Sequence, residues 1–69
     1  MNIILYSTGC PKCNVLKKKL DMAKIEYEIC EDEDVMEQKG FMSAPMLEVD
    51  EVVMDFGLAV KWIAERTNN

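Results

Sequence analysis

Cys10-Pro11-Lys12-Cys13 places two thiols with two residues between them, the part of this 69-residue chain best suited to chemistry. The attacking species in thiol–disulfide exchange is the thiolate, and a helix N-terminus stabilises negative charge. A pair of cysteines at the mouth of a helix therefore suits that reaction. Lys12, inside the pair, adds a positive charge that favours a Cys10 thiolate. The same spacing also serves structural zinc sites, which take four Cys or His ligands. The chain has Cys10, Cys13 and Cys30 and no histidine, so one chain would complete such a site only with a carboxylate. Without histidine, His-assisted nucleophilic catalysis is excluded as well.

The flanking sequence supplies elements that would position the pair. Ile3-Ile4-Leu5-Tyr6 is an apolar run without alternation, as in a strand covered on both faces, and Ser7-Thr8-Gly9 ends it. Pro11 suits the first turn of a helix, where a missing N–H costs nothing. Cys13, Leu16, Leu20 and Ala23 then recur at three- and four-residue steps, with Val15 and Met22 widening the stripe. This spacing predicts a helix over 11–23, with Cys10 exposed at its cap and Cys13 one turn in, on the buried side.

Glu26-Tyr27-Glu28-Ile29-Cys30 alternates as a second strand does, with Tyr27 and Ile29 on one face and Cys30 on the other. The acidic run Glu31 to Asp34 fits the start of a short helix reaching Lys39 and closed by Gly40. Ser43-Ala44-Pro45 leads into a strand at 46–49, Asp50-Glu51 into a turn, and Val52-Val53-Met54 into a fourth strand. Asp55 can cap a last helix whose stripe is Leu58, Ala59, Trp62 and Ile63. Met36, Met42, Met46 and Met54 read as gap-fillers in the core, Trp62 as core, and Tyr6 and Phe56 as either core or walls of the site. Cys30 reads as a small apolar filler or, if exposed, a regulatory or dimer-forming thiol.

The resulting order, β-α-β-α-β-β-α, is an α/β arrangement. A first parallel β-α-β unit and a final antiparallel hairpin would make a four-stranded mixed sheet with helices on both faces. The chain length allows one domain, spanning 1–69, that buries only about 60% of its unfolded surface. An apolar content of 49% suffices for a core. The net charge of -5 conceals a split: Lys12, Lys17, Lys18, Lys19 and Lys24 face the single acid Asp21 in the first 24 residues, and acids dominate thereafter. Lys17-Lys18-Lys19 reads as a solvated helix face. No broad basic surface suits nucleic acid, and no run approaches membrane-spanning length. No secretory signal is visible, so the expected location is the cytoplasm.

This order, with CPKC at the first strand–helix junction and a proline opening the third strand, resembles the thioredoxin fold in its minimal form. It is most similar to glutaredoxin and the small glutaredoxin-like redoxins. The residues that carry the resemblance are Ile4-Leu5-Tyr6, Cys10 to Cys13, Ser43-Ala44-Pro45-Met46 and Asp55-Phe56-Gly57-Leu58-Ala59, so it spans essentially the whole chain. It implies a dithiol oxidoreductase that reduces protein disulfides or mixed disulfides, with Cys10 attacking and Cys13 resolving. It further implies a cis Pro45 beside the cysteines, substrate pairing with the Ala44 backbone, and substrate contacts from Pro11, Lys12, Asp55 and Phe56. The implied substrates include ribonucleotide reductase. The protein would be a monomer without a tightly bound cofactor.

Two places depart from the glutaredoxin pattern. Ser7-Thr8-Gly9 lacks the basic residue that commonly precedes the first cysteine, and Met54-Asp55-Phe56-Gly57 replaces the usual Gly-Gly and acidic cap. Both belong to glutathione binding, so the electron source stays open between glutathione and thioredoxin reductase. The rival reading is a dimeric metal or iron–sulfur carrier of the same fold.

Overall fold

The computed structural model describes residues 2–67. Seven elements follow one another: β1 (Ile3–Tyr6), α1 (Pro11–Met22), β2 (Glu28–Cys30), α2 (Glu33–Gln38), β3 (Met46–Val49), β4 (Val52–Met54) and α3 (Phe56–Thr67). The strands form one mixed sheet in the order β2-β1-β3-β4. β1 runs parallel to β2 and antiparallel to β3, and β3 pairs antiparallel with β4. The chain is thus mixed α/β, with a four-stranded mixed sheet and three helices.

Register fixes which side chains share a face. Ile3 lies opposite Val49 and Leu5 opposite Leu47, and these four point into the core. There they meet Leu16 and Leu20 of α1 and Ala59 and Ile63 of α3, and the two helices pack against each other. Both long helices therefore cover one face of the sheet. Tyr6 and Glu48 alternate to the other face, which receives the end of α2: Lys39 lies 3.3 Å from Glu48, and Phe41 packs edge-on against Tyr6 at 4.9 Å between ring centroids.

Several positions differ from the periodicity reading. Val15, Met22 and Leu58 are exposed rather than buried, with Leu58 at 56%. Strands of only three or four residues offer too little surface to cover a wide helical stripe. Met42, expected as a gap-filler, is 99% exposed, because it follows the turn that leaves α2. Trp62 is half-buried at the edge of the core, with the Arg66 guanidinium 3.7 Å above its ring. The second strand is shorter than 26–30, and α2 is shorter than 31–39 because Asp32 caps it: the Asp32 carboxylate accepts the Asp34 N–H at 2.9 Å.

The β3–β4 turn has an unusual backbone. Asp50 and Glu51 both adopt positive φ, +47° and +73°, in a hairpin position normally filled by asparagine or glycine. Asp50 is held there by the residue before β1: its N–H donates to the Asn2 carbonyl at 2.8 Å, and its carboxylate accepts the Asn2 N–H at 2.7 Å. Glu51 has no such anchor among the described hydrogen bonds and keeps the steric cost of its conformation. Replacing it should help. Glu51→Gly is expected to raise stability by about 0.5–1 kcal/mol, read as a higher denaturant midpoint with an unchanged m-value.

Candidate active site

β1, one of the sheet's two inner strands, delivers Ser7-Thr8-Gly9 to the start of α1. Gly9 takes φ +81°, a left-handed turn open to glycine, and its N–H donates to the Ser7 hydroxyl at 3.1 Å. Cys10 then adopts an extended backbone as the N-cap of α1, with Pro11 at the first helical position. A cap side chain normally accepts an orphan N–H with oxygen. Here the acceptor is sulfur: the Cys13 N–H donates to Cys10 Sγ at 3.2 Å. Charge on the Cys10 sulfur would be met both by this N–H and by the positive end of the helix.

The two thiols differ in access. Cys10 is partly exposed, whereas Cys13, one turn further on, is 1% exposed against the core. All three cysteines are free thiols. Thr8 Oγ1 lies 4.0 Å from Cys13 Sγ, and the Cys10 thiol approaches the Ala44 carbonyl at 3.8 Å. The Ala44–Pro45 peptide is cis, and Pro45 is buried. The structure therefore brings the Cys10–Cys13 segment and Ala44-Pro45 together from two stretches far apart in sequence.

Burial alone would push the Cys13 thiol up. Hydrogen bonds from the Cys10 and Ser7 side chains and from the backbone at Thr8 and Cys10 outweigh it, and Cys13 falls from 9.0 to about 7. A thiol that ionises more readily when folded contributes stability above its unfolded value of 9.0, and this is lost as pH falls through about 7. The reduced protein is therefore expected to gain stability between about pH 7 and 9.0. Ser7→Ala removes one donor. It should move the ultraviolet absorbance of the Cys13 thiolate to higher pH and reduce that gain in stability.

Four other candidates lie to one side. Pro11 is exposed at the helix start, and Lys12 is exposed beside it. Lys12 Nζ sits 5.5 Å from the centre of the Phe56 ring. Asp55 caps α3, its carboxylate accepting the Leu58 N–H at 2.9 Å. None of these four lines the cleft beside Cys10.

That cleft, of about 260 Å³, is bounded by Thr8 and Cys10, by Met36 of α2, and by Phe41 and Ala44. Phe41 is placed by the way α2 ends. Gly40, at φ +78°, donates to the Glu37 carbonyl and Phe41 to the Met36 carbonyl, each at 3.0 Å. This is the Schellman pattern, and it folds Phe41 back over the helix end. Reading the sequence identified Gly40 as the stop but missed the cleft. Its available signal was Met36 one turn before Gly40, with an aromatic residue just after.

No family model, curated protein or solved structure matches the chain. The candidate site thus rests on its own geometry. No group of three or more His, Cys, Asp or Glu is placed to hold a metal ion among the described residues. Cys30, half-buried at the end of β2, lies beside Tyr6 in the register and outside the Cys10 cleft. Among the described residues no helix is long and apolar enough to cross a membrane.

Proposed function

We propose that this chain is a thiol–disulfide oxidoreductase of glutaredoxin type, built on a minimal thioredoxin fold, that reduces protein disulfides or mixed disulfides. One observation carries the reading: Cys10 Sγ caps α1 at 3.2 Å from the Cys13 N–H and opens to a cleft, while Cys13 is buried one turn behind it. An accessible sulfur at a helix N-terminus, with a protected second sulfur in the next turn, divides the labour of exchange. The strand order β2-β1-β3-β4, with one parallel pair, supports the fold.

The Cys10 thiolate attacks one sulfur of the substrate disulfide. That S–S bond breaks, the departing thiolate takes up a proton, and a mixed disulfide remains on Cys10. Cys13 then attacks the Cys10 sulfur, releasing the second substrate thiol and leaving a Cys10–Cys13 disulfide. The net change moves two electrons and two protons from protein to substrate. The Ala44 backbone, 3.8 Å from Cys10 Sγ, is available to align an extended substrate segment. Pro11, Lys12, Asp55 and Phe56 would meet the substrate on the other flank of the loop.

A reductant must then restore the dithiol, with glutathione or thioredoxin reductase as the candidates. Such a cycle fits the cytoplasm, which keeps thiols reduced. The test is turnover of a model disulfide, first with glutathione and its reductase, then with thioredoxin reductase. Activity with either one supports the proposal and identifies the electron source. No turnover with both would contradict it, and a visible metal–thiolate absorbance on fresh protein would favour the carrier reading instead.

A further inference from the structure

The cleft beside Cys10 has a charge of one sign. Glu33 and Glu37, four residues apart on one side of α2, both line it, and its apolar lining includes Met36 and Phe41. Among the described residues no lysine or arginine lines it. The two nearest in sequence are engaged elsewhere: Lys12 over the Phe56 ring, and Lys39 with Glu48 at 3.3 Å and over the Tyr6 ring. Glu31, Asp32 and Asp34 add further acids around the N-terminal end of α2, outside the lining. At about 260 Å³ the cleft falls below the roughly 300–1,000 Å³ of small-molecule sites, so it suits a side chain or two of a docked segment.

We propose that this cleft selects disulfides in which a lysine or arginine adjoins the reacting cysteine, its stem lying on Met36 and Phe41 and its charge meeting Glu33 and Glu37. The inference rests on the exchange reaction proposed above and specifies its substrate class. The same carboxylates would repel an anionic partner as it approaches Cys10, which separates cationic from anionic disulfides by both attraction and exclusion. A lysine stem suits the apolar lining because its methylenes pack there while its ammonium stays at the wet rim.

The test uses pre-reduced protein and single-turnover oxidation by symmetric tripeptide disulfides, N-acetylated and C-amidated, with lysine or glutamate before the cysteine. Each turnover converts the protein dithiol to its disulfide and the peptide disulfide to two thiols, so no added reductase enters the measurement. A small-molecule thiol measured against both peptides corrects for their intrinsic reactivity. After that correction the lysine peptide is expected to react faster, by about tenfold or more at low salt, with the preference falling steeply in high salt. Glu33→Gln/Glu37→Gln is expected to remove most of the preference. A corrected ratio near one, or a ratio unmoved by both salt and the double substitution, would overturn the inference. Bis(2-hydroxyethyl) disulfide, which is neutral, separates the two levels: failure to oxidise the unsubstituted protein with it defeats the exchange reading itself.

Discussion

Cys10→Ser is expected to lose disulfide reduction by about a thousandfold or more, because a serine hydroxyl cannot replace a thiolate nucleophile near neutral pH. The geometry makes this loss specific to Cys10. Its sulfur opens to the cleft and caps α1, whereas the Cys13 sulfur is closed off behind it. Cys13→Ser should behave differently. The first attack continues, no second thiol follows, and the protein accumulates as a mixed disulfide. Only substrates that glutathione can then release should turn over. Rates for the two variants against one model disulfide check both statements, and full activity in Cys10→Ser would remove the nucleophile assignment.

The second large effect lies in the core behind the site. Leu16 is fully buried, one turn beyond Cys13 on the same face of α1, and it packs within the cluster that joins α1 to the sheet and α3. Leu16→Ala deletes buried methyl groups and leaves a cavity, at a cost of about 2–5 kcal/mol. A 69-residue chain holds only about 3–10 kcal/mol in total at typical per-residue values. The substitution is therefore expected to leave the protein close to its unfolding threshold, visible as a large fall in denaturant midpoint and faster alkylation of Cys13. Val15→Ala, next to it in sequence but 43% exposed, should stay within about 0.5 kcal/mol of the parent. Comparable losses at the two positions would mean that α1 presents a different face.

These two leucine-stripe positions show how far the sequence could be read. Periodicity located the inward side of α1 because Cys13, Leu16 and Leu20 repeat at helical spacing. It overestimated the width of that side, since the area a helix covers is set by the sheet beneath it. The Asp50-Glu51 turn had no glycine or asparagine to announce positive φ, and the hydrogen bonds from Asn2 that hold Asp50 join residues far apart in sequence. The site divides in the same way. The cysteine pair and its helix are local features and could be read directly. The cleft is assembled from the loop between β1 and α1, α2 and the segment before β3, so beyond Met36 and Phe41 on either side of Gly40 its lining, Glu33 and Glu37 included, carried no local sign of a shared surface. The direction of Lys12 likewise depended on Phe56, more than forty residues away in sequence.

The proposed mechanism comes down to which sulfur meets the substrate first. The most direct measurement treats reduced Cys13→Ser with bis(2-hydroxyethyl) disulfide and locates the adduct by peptide mass mapping. The account predicts one adduct, on Cys10, with Cys30 still free to alkylate. An adduct on Cys30 in place of Cys10, or none at all, would contradict it.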